Sequence, residues 1–214
     1  MINYELTSPI PGRVSLVQWN SGYINIRELI FNATHQIGNA LRRDRYETEV
    51  QLTATLFHTT MLGALKVPEI QCPHASFTLG LSALPIRRAG ASIAPPDYSL
   101  MLSGTYSNVT YLRPALIPVQ VIISDPIELN TVWLSNVVIN KTSYTAVIEL
   151  NLDKLTNSIT TGMMNNAVIT NGTIFITSVS NQNLYEIIVN NLQGNNMNAR
   201  FWAPIFNIAN FPVE

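Results

Sequence analysis

The chain has a single cysteine, Cys72, in 214 residues, so no internal disulfide can brace the fold. That argues against the disulfide-dense class of extracellular domains. Charge is scarce too. Asp, Glu, Lys and Arg together make up 12% of the residues, against a usual globular share of about 25%. The formal net charge of −1 goes with no basic arm and no acidic tail. No run approaches the ~20 apolar residues of a transmembrane helix. The longest apolar stretch, residues 115–123, is strand-sized and interrupted by proline and glutamine. The first residues show no basic segment leading into an apolar one, so no signal peptide is expected and synthesis is expected in the cytoplasm.

Signatures of chemistry are equally thin. There is no glycine-rich phosphate loop and no Gly-x-Ser-x-Gly elbow. The histidines are His35, His58 and His74. Cys72 and His74 form the one close pair, and nothing nearby supplies the further ligands that a metal needs. A nucleophilic Cys72 would need a base and an orienting group brought in by the fold, and an inert thiol in a proline-containing loop is the simpler reading. Glu149 and Glu186 stand out among the carboxylates because each lies in an apolar, strand-like run; outward-facing strand positions explain both without invoking a glycosidase pair. The expectation is therefore no catalysis, no cofactor and no metal. The sequons at Asn32, Asn108, Asn140 and Asn171 are ordinary in so Asn- and Thr-rich a chain, and no glycan is assigned to them.

What the sequence does contain is apolar alternation. Hydrophobic residues make up 47%, enough for a sizeable core. Residues 48–57 alternate strictly, with Val50, Leu52, Ala54 and Leu56 on one face and Glu49, Gln51, Thr53 and Thr55 on the other. Further strands are expected at 13–19, 23–27, 76–84, 98–106, 108–112, 116–123, 128–134, 137–140, 144–152, 184–190 and 200–208. The strongest local signal is 167–177, where two β-branched runs flank Asn171-Gly172, the pair favoured in a type I′ hairpin. One helix is predicted near residues 28–44. Leu29, Ile30, Ala33, Ile37, Ala40 and Leu41 recur there at helical spacing, with Arg42, Arg43 and Arg45 at the end that suits cations. About ten short strands and one helix predict a mostly β fold. The expected architecture is a single domain over 1–214, an antiparallel β-sandwich that includes the jelly-roll among its forms. Residues 85–97 read as a long proline-rich loop.

Low charge weakens the repulsion that keeps copies of a protein apart. It predicts a homo-oligomer, although biased base composition would also enrich Asn and Ile. The balance of charge argues against nucleic acid as the main partner. Arg42, Arg43, Arg45, Arg87 and Arg88 are candidate subunit contacts, since guanidinium groups stack and fork to carboxylates. Phe201, Trp202, Phe206 and Phe211 concentrate aromatics near the end of the chain and need burial, in the core or against a neighbour. Together these features predict a structural assembly protein, a subunit of a virion-type particle such as a capsid, spike or tail, with other structural subunits as partners. In style it resembles viral capsid and tail subunits, with no motif behind the resemblance. The alternative is a carbohydrate- or ligand-binding β-sandwich, for which Trp19, Trp133, Trp202, Tyr98, Tyr106 and Tyr111 are candidate platforms.

Overall fold

A computed structural model describes residues 2–7, 16–35, 38–52, 59–65, 70–83, 97–108, 115–130, 134–139, 144–150, 154–194 and 197–202, with side chains for 16–33, 74–83, 97–108, 115–130 and 154–194. The fold is mostly β. In chain order the strands are β1 (Ile2–Thr7), β2 (Val17–His35), β3 (Gly38–Leu52), β4 (Thr59–Leu65), β5 (Ile70–Leu81), β6 (Leu100–Asn108), β7 (Ala115–Ile123), β8 (Ile127–Asn130), β9 (Leu134–Ile139) and β10 (Tyr144–Leu150). Helix α1 (Thr161–Asn165), the hairpin β11 (Ile169–Thr170) and β12 (Thr173–Ile176), helix α2 (Gln182–Gln193) and β13 (Met197–Trp202) complete them.

Two sheets result. One has four strands in the order β13-β10-β1-β4, with β1 parallel to β10. The other has nine, and seven of them follow the path β11-β12-β7-β6-β2-β5-β8 as a curled, mixed half-barrel. It is mixed because β12 runs parallel to β7. Strand β2 organises this sheet. Its residues from Gly22 on pair with β3. Val17–Ile24 also pair with β6, and Ile26–Thr34 with β5. A strand has only two edges, so β5 and β6 must share the edge away from β3, one after the other. On their far side β9, β8 and β7 follow one another in the same way.

Asn25 sits where β2 passes from one neighbour to the other. Its backbone N–H donates to Ser99 O at 2.9 Å and its carbonyl accepts from Ser82 N at 3.2 Å. Its amide nitrogen donates to Tyr98 O. Asn25 thereby clamps both ends of the excursion that leaves after β5 and returns at β6. The next junction is tied alongside: Ser99 Oγ donates to Asp125 O at 2.6 Å and Ser124 Oγ to Asp97 O at 3.0 Å.

Residues 28–35 and 38–44, where periodicity predicted the helix, are strands of the β2–β3 hairpin. Leu29, Phe31 and Ala33 are buried on the core side, and Phe31 meets Phe77 of β5 with ring centroids 5.2 Å apart. Those residues obey a period of two as well as a period near four, and the tandem neighbours on β2's edge decide between them. The reverse correction applies at 184–190. This run was expected as a strand and lies in α2, which buries Leu184, Tyr185, Ile188 and Leu192 against the sheet. Burying such side chains contributes about 1.5–3 kcal/mol each, more than β-propensity can offset. Thirteen strands among the described residues replace the expected ten or so. The hairpin forms as the Asn-Gly pair predicted, with Asn171 at φ 49° and Gly172 at φ 77°.

The core lies on the face of the nine-stranded sheet covered by α2, Met164 of α1, and Leu155 and Ile159. Gly104 leaves room for the β2 backbone and the Trp19 ring to approach β6 closely. A Cβ there would come within 2.6 Å of Gln18 O and 2.9 Å of the Trp19 ring.

Candidate contact surface

The expected contact residues do not converge on one place. Arg42, Arg43 and Arg45 lie on β3, opposite Phe31, Ile30 and Glu28 of β2, so they do not end a helix as predicted. Phe201 and Trp202 lie on β13, opposite Ala146 and Thr145 of β10 in the four-stranded sheet. Arg87, Arg88, Phe206 and Phe211 lie outside the described residues, as do Trp133 and Tyr111. Three of the six candidate sugar platforms are interior: Trp19, Tyr98 and Tyr106 belong to the core. Tyr106 donates to Asn165 Oδ1 at 2.6 Å, and burial raises its phenol pKa above the ordinary value.

The residues weighed for chemistry are dispersed as well. Cys72 stands opposite Val137 on β9, inside β5 and not in a loop, and His74 is exposed on the same strand. Glu149 is on β10 opposite Thr7 and Asn198. Glu186 is on the exposed side of α2, where its carboxylate accepts from Gln182 Nε2 at 3.1 Å; it is a helix-surface group and not a strand residue. Among the described residues no three metal-binding side chains gather, and no described helix is long and apolar enough to cross a membrane.

What the fold does assemble is an apolar, uncharged sheet edge. Pairing registers align Trp19, Gly104, Val119, Ile174 and Ile169 in one row across β2, β6, β7, β12 and β11. Trp19, Val119 and Ile174 are buried, yet Ile169 at the end of the row is 51% exposed. The row of core residues runs out to the edge and stops uncovered. Beside it Val168 is 62% exposed, and Val179, in the turn leading to α2, is 92% exposed. Leu116, 70% exposed, precedes Val119 by the same three residues as Asn171 precedes Ile174. With β7 and β12 parallel, that places Leu116 level with the hairpin turn.

This edge also lies in a window without charge. Residues 155–185 contain no Asp, Glu, Lys, Arg or His. Natural sheets protect their edges with lysine, proline, bulges or shortness, and β11 uses only shortness. The side chain of Asn181 closes part of the edge from within. Its Oδ1 accepts from Val168 N at 2.7 Å, while its Nδ2 donates to Val168 O at 3.0 Å and Phe175 O at 2.8 Å. Ile169 pairs with Ile174, so Val168 and Phe175 would form the next rung. The asparagine amide stands in for that rung. The turn entering α2 is tied down on the other side, because the Tyr185 hydroxyl donates to Asp125 Oδ2 at 2.8 Å. Burial first, and then Asp125, push the Tyr185 pKa up to about 12.

Sequence reasoning missed this surface because Val168 and Ile169 read as ordinary strand residues and Val179 fell between the expected strands. The signal that could have found it is the charge-free window itself. No protein-family model, curated protein or solved structure matches the chain.

Proposed function

We propose that the protein is a structural assembly subunit that joins further copies of itself through the β11 edge, in a particle of the virion type. The observation that carries this reading is the core row ending in half-exposed Ile169, next to exposed Val168, in a charge-free window that also exposes Val179. Exposed apolar residues at a sheet edge guarded by neither charge nor proline are suited to contact with protein. A second copy suits it because an uncharged face neither repels its own image nor selects a charged ligand. The expected all-antiparallel pairing does not hold, since each sheet contains one parallel pair, β1 with β10 and β12 with β7; a mixed β-sandwich, jelly-roll or otherwise, is the form of subunit we assign, and the presence of two sheets supports it. Synthesis in the cytoplasm and incorporation into the particle complete the proposal. Sugar binding has less support, since half of its candidate platforms are in the core.

Sedimentation equilibrium over a wide concentration range tests the proposal. Wild-type protein is expected to self-associate with little dependence on salt, because no ion pairs are involved. Ile169→Lys is expected to weaken association roughly tenfold or more and to leave the urea midpoint nearly unchanged, since the lysine head can reach water. A strictly monomeric wild type, or a lysine variant that associates normally, refutes it.

A further inference from the structure

We propose that Asn171 is a site of spontaneous deamidation, a chemical timer at the edge of the nine-stranded sheet. Asn171-Gly172 is the only Asn-Gly pair in the chain. Both residues are exposed at the tip of a turn closed by a two-residue strand. The Asn171 side chain makes no hydrogen bond among the described residues. Apart from its two chain neighbours, nothing lies within 4 Å of the position a Gly172 Cβ would occupy, so water and base reach the turn from that side.

The reaction needs only water. The Gly172 backbone nitrogen loses its proton and attacks Asn171 Cγ. The new C–N bond closes a five-membered imide, and the side-chain nitrogen leaves as ammonia. Water then opens the ring. Cleavage of the bond to Cγ yields aspartate, and cleavage of the main-chain bond yields isoaspartate, in which the chain continues through the former side chain. Glycine favours closure because it has no side chain to obstruct the approach.

Two other asparagines, Asn20 and Asn157, are followed by serine and are held more firmly. Asn20 lies within β2, and its amide donates to Thr105 Oγ1 at 3.3 Å. Asn157 donates its N–H to Lys154 O at 3.1 Å, and its carbonyl accepts from Asn191 Nδ2 at 2.7 Å. Asn171 therefore reacts first. Either product places a negative charge in a window that has none. Isoaspartate also adds a main-chain methylene to a turn whose register depends on having two residues, Thr170 facing Thr173 and Ile169 facing Ile174. The expected result is release of β11. The chemistry stands apart from the assembly reading; only its effect on association depends on that reading.

The test is prolonged incubation of the full-length folded protein at mildly alkaline pH, followed by peptide mapping and isoaspartyl assay. The peptide containing Asn171 is expected to gain the mass difference of hydroxyl for amine before those containing Asn20 or Asn157, with both isomers present. Gly172→Ala is expected to slow conversion roughly tenfold. Should that variant fail to fold, Asn171→Gln is expected to remove most of the isoaspartyl yield of the whole protein. An unmodified Asn171, earlier conversion at another asparagine, or isoaspartyl yield that persists in Asn171→Gln overturns the proposal. Sedimentation of the aged protein separately reports whether association changes.

Discussion

Asn181 offers the sharpest test of how the sheet edge is held. Its amide makes three hydrogen bonds in the place of a strand rung, one from Val168 N, one to Val168 O and one to Phe175 O. Its backbone is left-handed, at φ 52° and ψ 46°, and its carbonyl accepts the first hydrogen bonds of α2 from Leu184 and Tyr185. Each bond contributes about 1 kcal/mol net, and partial exposure lets water replace some of it. Asn181→Gly keeps the permitted backbone and loses the amide, for a cost of about 2 kcal/mol. Asn181→Ala loses the same bonds and also holds a Cβ in the left-handed region, adding about 1 kcal/mol. Asn181→Asp keeps the acceptor for Val168 N and turns a carboxylate oxygen toward two carbonyls. It is expected to destabilise by about 2–3 kcal/mol at neutral pH. Those carbonyls raise the new carboxyl's pKa in the fold, so its protonated form is the favoured one. Stability is therefore expected to recover as pH falls and to be lost as pH rises. Urea unfolding at constant m-value measures the series, and hydrogen exchange at the Val168 amide reports the rung directly. If Asp is as stable as wild type at neutral pH, or if Gly and Ala cost the same, the reasoning is refuted.

Gly104→Ala is expected to cost about 3 kcal/mol, because the methyl group meets the Gln18 carbonyl at 2.6 Å and cannot be relieved by rotating a side chain; thermal unfolding checks it, and a loss below about 1 kcal/mol would mean that the β2 backbone at Gln18 does not crowd the glycine. The Tyr185 phenol is held protonated in the fold, with its pKa raised from 10.0 to about 12. Its contribution is complete below pH 10 and is lost as pH rises through about 12, so Tyr185→Phe is expected to reduce the alkaline fall in the urea midpoint. Buried Tyr106 shifts in the same direction and should account for part of the fall that remains.

The local features that carried through from sequence to structure are those decided by neighbouring residues. Asn171-Gly172 supplies two positive φ angles without steric cost and made its hairpin as expected. The alternation of 98–106 and 116–123 became β6 and β7, with Leu100, Leu102, Tyr106, Val119, Val121 and Ile123 on the core side. The two misreadings share a cause. Leu29, Ala33, Ile37 and Leu41 are four residues apart, and four is both nearly one helical turn and an even number. Such a pattern suits helix and strand alike until a neighbour is known. In α2 the window 184–190 ended before Leu192, the residue that completes the helical stripe begun by Leu184 and Ile188.

By itself the sequence determined that this chain would be β-rich, poor in charge and without an internal disulfide, because alternation, composition and turn chemistry act over a few residues. Tertiary structure alone decided that β5 and β6 lie end to end along β2, that three arginines sit on a strand, and that a row of core residues ends uncovered at Ile169. Those facts depend on pairings between residues as far apart as Trp19 and Gly104 or Val119 and Ile174. Register across a sheet is set by which side chains end up sharing a face, and no local window contains that information.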